Sequence, residues 1–176
     1  SLLDKYKPEN FAVVMDSPVP TFRHIMYPDY KANRDKAPDD LHDQVPIIKE
    51  FLNVLGLDIL VSEGYEADDL MACAARKGSK EGFFSYIISA DKDLMQTVTP
   101  DIHMLRPEKG EYLDIGPEEV LEKMGVRADQ IVDYLSLIGD PSDNIPGVKG
   151  IGPKTAVALL QKFETLDGLY KNIDSC

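Results

Sequence analysis

The sequence predicts an α/β fold: a mostly parallel central sheet flanked by helices, followed by a C-terminal helical part built on a helix-hairpin-helix. Three observations carry that prediction. Short β-branched, apolar runs alternate with longer segments of helical periodicity between residues 11 and 89, the βαβαβ rhythm that right-handed crossovers turn into a parallel sheet. Acidic residues follow each run, where open α/β sheets collect their chemistry. The last third reads as helical except for DPSDNIPGVKGI, which is too rich in Gly, Pro and Asp to continue a helix.

The opening SLLDKYKPEN has no initial Met and reads as the tail of a helix followed by a turn, so a truncated chain is expected. FAVVM, residues 11–15, is a buried strand that ends at Asp16. TFRHIMYPDYKANRDKAPDD is polar, basic and aromatic, an excursion from the sheet over about residues 21–40. From Asp39 the spacing of Leu41, Val45, Ile48, Leu52 and Leu55 predicts a helix closed by Gly56, with Pro46 marking an early turn or kink. DILVS is the second strand, EADDLMACAARKGSKEG the second helix and FSYIIS the third strand, running into SADKD. A short helix (LMQTV), two strands (IHMLRP and EYLDI) about Lys109-Gly110, and the helices PEEVLEKMG, DQIVDYLSLIG and GPKTAVALLQKFE complete the chain. The division expected is residues 1–125 as an α/β core and 126–176 as a helical part.

At 176 residues the chain can bury a substantial core, and its 43% hydrophobic and 28% charged content fits a globular protein. No apolar stretch approaches the roughly 18 residues of a membrane span. Cys73 and Cys176 have neither metal-ligand nor disulfide spacing, which suits a reducing, cytoplasmic compartment. His24, His42 and His103 are scattered, and a surface role is expected for each. A net charge of -12 argues against nucleic-acid binding unless the acids converge on a metal centre, because each divalent ion cancels two charges locally.

The acids do fall at one kind of place. Asp16 ends the first strand, Glu66, Asp68 and Asp69 open the helix after the second, and Asp91 and Asp93 follow the third. Carboxylates at a helix start meet the positive end of the dipole, but three in four positions repel by more than the dipole's about 0.3–1 kcal/mol each unless a cation joins them. DKD alone is also ordinary turn chemistry, and Asx turns explain Asp140 and Asp143 almost as well as metal binding does. Oxygen donors without His or Cys favour Mg²⁺ or Mn²⁺, and eight carboxylates exceed what one octahedral ion takes. Two or more ions are therefore expected, an arrangement suited to cutting phosphate esters.

Two cationic elements stand apart from the acids. The turn GVKGIGPKTA places Pro153 at a helix's first position, so Gly150, Gly152, Lys154 and Thr155 can cradle a phosphate, with Lys149 beside them. An ordinary helix-helix loop is the competing reading. Arg23, Lys31, Arg34 and Lys36, interleaved with Phe22, Tyr27 and Tyr30, form either a surface for phosphates and stacked bases or a solvated loop.

In this order MDSPVPTFRHIMYPDYKANR, GYEADDLMACAA, SADKDLMQ and GDPSDNIPGVKGIGPKTA resemble the 5′-3′ exonuclease domain of bacterial DNA polymerase I, within the flap endonuclease superfamily and its PIN-like fold. The resemblance spans nearly the whole chain. It implies a structure-selective nuclease for DNA with a 5′ end or flap at a duplex junction, working in replication and repair at the bacterial nucleoid. Metal ligands are implied at Asp16, Glu66, Asp68, Asp69, Asp91, Asp93, Asp140 and Asp143. The family's basic arch falls on Tyr30, Lys31 and Arg34 with Arg23 nearby, and Lys31 and Arg34 would steer the scissile phosphate. Its hairpin falls on residues 147–156, where the Val148 and Ile151 carbonyls would hold a monovalent cation such as K⁺. A monomer is expected, with a polymerase in the same polypeptide as a possibility the resemblance raises. SPVP departs from the short Gly-containing turn expected after Asp16. The family's first strand carries a further metal-binding aspartate, which would precede Ser1, and its domain continues beyond Cys176. Two alternatives stay open: a noncatalytic DNA-junction module of the same fold, and a related metal-dependent ribonuclease.

Overall fold

The computed structural model describes residues 2–35 and 38–175. Its first half runs α1 (Leu2–Tyr6), β1 (Ala12–Val14), α2 (Phe22–Met26), α3 (Asp39–Val54), β2 (Asp58–Leu60), α4 (Ala67–Lys80) and β3 (Ser85–Ile88). A 3-10 helix (Lys92–Thr97) then leads to β4 (Ile102–Glu108), β5 (Glu111–Ile115) and α5 (Pro117–Met124). The helical end comprises α6 (Ile131–Ile138), α7 (Pro153–Phe163) and α8 (Leu166–Lys171), with β6 (Gly139–Asp140) and β7 (Ile145–Pro146) between the first two.

Of the parallel pairings, β1 with β2 is the crossover the alternation predicts, whereas β3 pairs with β4 from beyond it. β1 is exposed to half-buried instead of the buried strand expected, because among the described residues β2 is its one ladder partner. Ala12 to Val14 pair with Asp58 to Leu60, with α3 as the crossover, and Ser85 to Ile88 pair with Ile102 to Leu105. β5 returns antiparallel on β4 through Lys109 and Gly110, both at positive φ (49° and 85°), as a two-residue hairpin turn requires. A further expectation changes. The parallel pairs form two separate ladders, and among the described residues no ladder bonds join β1–β2 to β3–β4–β5. α4 spans them by packing on β1 as well as on β3 and β4.

Pro46 does not break α3, which continues to Val54 with one fewer backbone donor. Gly56 closes it at φ 69°, its amide bonded to the Asn53 carbonyl. The predicted apolar stripe is only partly used. Val45 and Leu52 are half-buried, whereas Leu41, Ile48 and Leu55 stay exposed because α3 packs chiefly on β2.

The core lies in the second half. Leu94, Met95, Ile102 and Met104 pack with Val120, Ile131, Leu137, Ala156 and Leu160, and each large side chain buried there contributes about 1.5–3 kcal/mol. Because these residues come from both sides of residue 125, the helical end shares one core with the sheet. Buried Gln130 reinforces the joint by donating to the Leu160 and Glu164 carbonyls at 3.3 and 2.8 Å.

A close crossing fixes the turn after α6. A Cβ at Gly139 would collide with the Gly147 amide, and one at Gly147 would collide with the Ile138 carbonyl group. Gly139 also sits at φ 75°. Asp140 and the 147–152 turn are thereby held in one register. We expect Gly139→Ala to lower stability by at least about 2 kcal/mol in thermal or denaturant unfolding, combining backbone strain with a clash. Gly152→Ala, with ordinary φ and nothing within 4 Å of the added carbon, is expected to be near neutral.

Candidate metal centre and nucleic-acid interface

The carboxylates stand where strands and helices change over. Asp16 follows β1 and its Oδ1 accepts the Ala67 amide at 2.8 Å, which ties the strand end to the first turn of α4. Glu66 is the residue before that helix, and its own amide donates to Asp69 Oδ2 at 3.0 Å. Asp91 opens the 3-10 helix and accepts the Asp93 amide at 2.9 Å. Buried Asp140 accepts both the amide and the hydroxyl of Ser142, at 2.9 and 2.7 Å. These last two are the Asx-type turns that local chemistry predicts, so turn formation and site formation use the same oxygens.

Electrostatics shows which acids face one another. Burial, then Asp91, Asp16 and Glu66, push Asp68 up to about 6, with Lys31 opposing. Asp93 rises to about 7 through burial and the charges of Asp91 and Asp140. Asp91 thus stands between an Asp16–Glu66–Asp68 group and an Asp93–Asp140 pair. Within that pair the shifts oppose each other: burial raises Asp140 too, but the Ser142 hydroxyl and amide, with Lys92, leave it below the usual carboxylate range. Asp93 Oδ1 is buried without a hydrogen-bond partner.

The segment from Phe22 to Arg34 supplies the opposite charge. Lys31 Nζ lies 2.9 Å from each Glu66 oxygen, and the Arg34 guanidinium meets Asp143 Oδ1 and the Ser142 carbonyl. Arg23 grips Asp69 with two bonds of 2.7 Å. Lys31 itself sits at φ 57°, an uncommon conformation for a residue with a side chain, and its amide donates to the Asp143 carbonyl. Asn33 donates to the Pro141 carbonyl, Tyr27 to that of Asn144, and Asn144 to that of Asp29. The basic segment is therefore docked along residues 141–144 and the start of α4, with Lys36 outside the described residues.

Tyr30 differs from the stacking surface expected of it. It is 5% exposed, and its hydroxyl lies 3.0 Å from both Glu66 Oε2 and Asp143 Oδ2. One phenol proton serves one acceptor at a time, so Tyr30 is shared between two carboxylates from distant parts of the chain. Burial, reinforced by both acids, lifts its pKa well above the ordinary phenol value and keeps that proton in place. Two histidines expected at the surface also have partners: His24 Nδ1 lies 3.1 Å from the Thr21 amide, and His103 pairs with Asp114 at 2.7 Å. Cys73 is exposed, and Cys176 lies outside the described residues.

The hairpin presents the surface its composition predicts. Lys149, Gly150, Lys154 and Thr155 are exposed, Gly150 has φ 87°, and Gly152 precedes Pro153 at the first position of α7. The first amides of that helix have no acceptor within it. The Val148 carbonyl accepts the Ile151 amide at 3.0 Å, closing the turn.

Among the described residues, no three carboxylate, imidazole or thiolate side chains are arranged to hold an ion as they stand. Three of the eight acids predicted as donors, Glu66, Asp69 and Asp143, are engaged by Lys31, Arg23 and Arg34 instead. The remaining set nevertheless suits a hard divalent cation. Its donors are all oxygens, Asp93 Oδ1 lacks a partner, and Asp68 and Asp93 are driven toward protonation by neighbours that a cation would neutralise. No sequence motif singles out Lys92, Asn33 or Asn144, which the structure adds to the site together with Ser142. Only Ser142 left a signal, as the second residue after an Asx-turn aspartate.

Residues 1–125 match the family described as 5′-3′ exonuclease, N-terminal resolvase-like domain, and residues 126–176 match its C-terminal SAM fold. The chain belongs to the 5′-3′ exonuclease family. The DNA polymerase I of Borreliella burgdorferi is 48% identical over 98% of this chain, which spans 19% of that protein. The 5′-3′ exonuclease of Aquifex aeolicus is 44% identical over 98% of this chain, which spans 59% of that relative. A bacteriophage T5 flap endonuclease solved with DNA and metal ions superposes with a TM-score of 0.82 at 22% identity, over 97% of this chain and 66% of that one. The catalytic core of Rad2 in complex with DNA substrate gives 0.59 at 22% identity, over 90% and 48% of the two chains. These two likenesses establish the α/β fold of the family. No helix among the described residues is long and apolar enough to cross a membrane.

The raised acids set a pH dependence for the metal-free protein. A carboxylate whose folded pKa lies above its unfolded value adds stability below the unfolded pKa and loses it as pH rises through the folded one. For Asp68 and Asp93 that window runs from about pH 4 to about pH 7. Their contribution in EDTA should therefore fall as the pH rises from about 4 to about 7. Asp93→Asn should raise Tm at the upper pH by roughly 2–4 °C and flatten the pH slope, as followed by circular dichroism. An unchanged slope would show that Asp93 is not held protonated.

Proposed function

We propose that this chain is a structure-selective 5′-3′ exonuclease or flap endonuclease module. It hydrolyses DNA phosphodiesters at a 5′ end or flap beside a duplex junction, in replication and repair. The observation that carries this reading is convergence: acids from four separate loops gather around Asp91 with Lys31 and Arg34 against them, in a chain of the 5′-3′ exonuclease family. The relatives named DNA polymerase I support a polymerase in the same polypeptide.

Asp16, Glu66, Asp68, Asp91, Asp93, Asp140 and Asp143 would hold Mg²⁺ or Mn²⁺, in two or more sites. Bound there, divalent ions stabilise charge on the attacking and departing oxygens of a phosphodiester. The chain's own groups do the rest. Lys31 and Arg34 leave their carboxylates for the scissile phosphate, exchanging one anion for another at little electrostatic cost. Tyr30 keeps the Glu66 and Asp143 side chains in register during that exchange. Arg23 faces the same entry. The exposed Lys149, Lys154 and Thr155, with the amides of Gly150 and Gly152, hold duplex phosphates, and the Val148 and Ile151 carbonyls offer a place for K⁺. Residues 1–125 then form the cutting core, with the arch at about 21–40, and residues 126–176 form the duplex grip.

With Mn²⁺ and a labelled 5′-flap duplex, Asp68→Asn and Asp91→Asn should each slow cleavage by at least about a hundredfold while flap binding persists. Unchanged cleavage by both variants sinks the nuclease assignment, and binding without products by the parent chain would point to a junction-binding module. Lys154→Ala should weaken binding on all sequences and reduce the salt slope by about one. A salt slope equal to the parent's would remove Lys154 from the duplex grip.

A further inference from the structure

Asp68 and Asp69 are neighbours in the first turn of α4 yet live in different surroundings. Successive helical residues point about 100° apart, so the two carboxylates meet different partners. Asp68 faces Asp91, Asp16 and Glu66. Asp69 has three N–H groups on its two oxygens: Oδ1 takes Arg23 Nη2, and Oδ2 takes both Arg23 Nη1 and the Glu66 amide. That fork is the strong, planar form of ion pair, and it is partly sheltered, with side-chain exposures of 32% for Arg23 and 24% for Asp69. The guanidinium is fixed from a second side by the Phe22 ring, 4.6 Å from its centroid. Two of its five donors go to Asp69, and among the described residues the others have no acceptor.

We propose that Asp69 is a positioning residue: its carboxylate fixes the Arg23 guanidinium beside the acidic cluster as a phosphate-binding group, and it donates no oxygen to a metal ion. The proposal rests on the nuclease reading for its substrate, a DNA phosphate. A divalent ion at Asp69 would have to displace a bidentate guanidinium and compete with a helix-start amide. A phosphate at Arg23 displaces nothing.

Two measurements without cleavage test this. In EDTA, anisotropy of a labelled 5′-flap duplex is followed for the parent, Asp69→Asn, Arg23→Ala and the double variant. Each single change should weaken binding about tenfold and the double change no more than Arg23→Ala alone, because Asp69 acts through Arg23. Calorimetric titration with Mn²⁺ should give Asp69→Asn an affinity within about threefold of the parent, and Asp68→Asn one at least about tenfold weaker. Asparagine keeps an acceptor for the Glu66 amide, so the helix start is preserved. Additive losses in the double variant, or Mn²⁺ binding weakened in Asp69→Asn as in Asp68→Asn, would overturn the proposal. Failure of the nuclease reading shows differently, as a parent chain that binds flap and Mn²⁺ but yields no product.

Discussion

Carboxylates crowded at the ends of strands repel one another, and the first half of this structure is arranged around the offset. The arch segment contributes three cations, and each meets an acid from a different place: Arg23 with Asp69, Lys31 with Glu66, Arg34 with Asp143. Apolar burial there is slight, since Thr21 and Tyr30 are the buried ones among the described residues of that segment. Charge therefore sets its position where packing does not. Pairs of this exposure contribute little to stability singly. Their effect here is geometric, because they join one segment to both α4 and the 141–144 turn.

That geometry needs a firm base, which the second half supplies. Leu94 and Met95 follow directly on Asp93, and Leu137 lies three residues before Asp140. The acids of these two loops are thus carried at the margin of one shared core. The crossing of Gly139 and Gly147 then fixes the hairpin relative to Asp140. A duplex phosphate held near Gly150 would lie at a set distance from the acids, as a cut at a defined place beside a junction requires.

Much of this was legible in the sequence because local rules and tertiary structure agree. FAVVM, DILVS and FSYIIS form strands, Gly56 closes α3, and the hairpin's Gly-Pro pattern starts α7 where expected. What escaped was pairwise. Nothing in YPDYK states that Tyr30 is buried between Glu66 and Asp143, since that depends on the docking of segments 36 and 113 residues away. Period alone could not show that α3 leaves Leu41, Ile48 and Leu55 exposed. Nor could the pattern E-A-D-D separate Asp68 from Asp69, because adjacent helical residues look equivalent until their partners are known.

The net charge of -12 takes on a different meaning once partners are assigned. In the proposed function, the acids do not oppose a polyanion directly. Each carboxylate paired with an arch cation holds that cation ready, and a divalent ion arriving at Glu66 or Asp143 makes Lys31 or Arg34 available to phosphate. Metal and DNA would then favour each other's binding, since each relieves a charge the other leaves unbalanced. Arg23 would stand outside this exchange: its partner Asp69, already holding the Glu66 amide, takes no ion in that reading, so its charge would be offered to phosphate without first being released. Among the described residues, the arch would thus divide into two cations that trade partners and one that stays fixed, a distinction set by the acid each one meets.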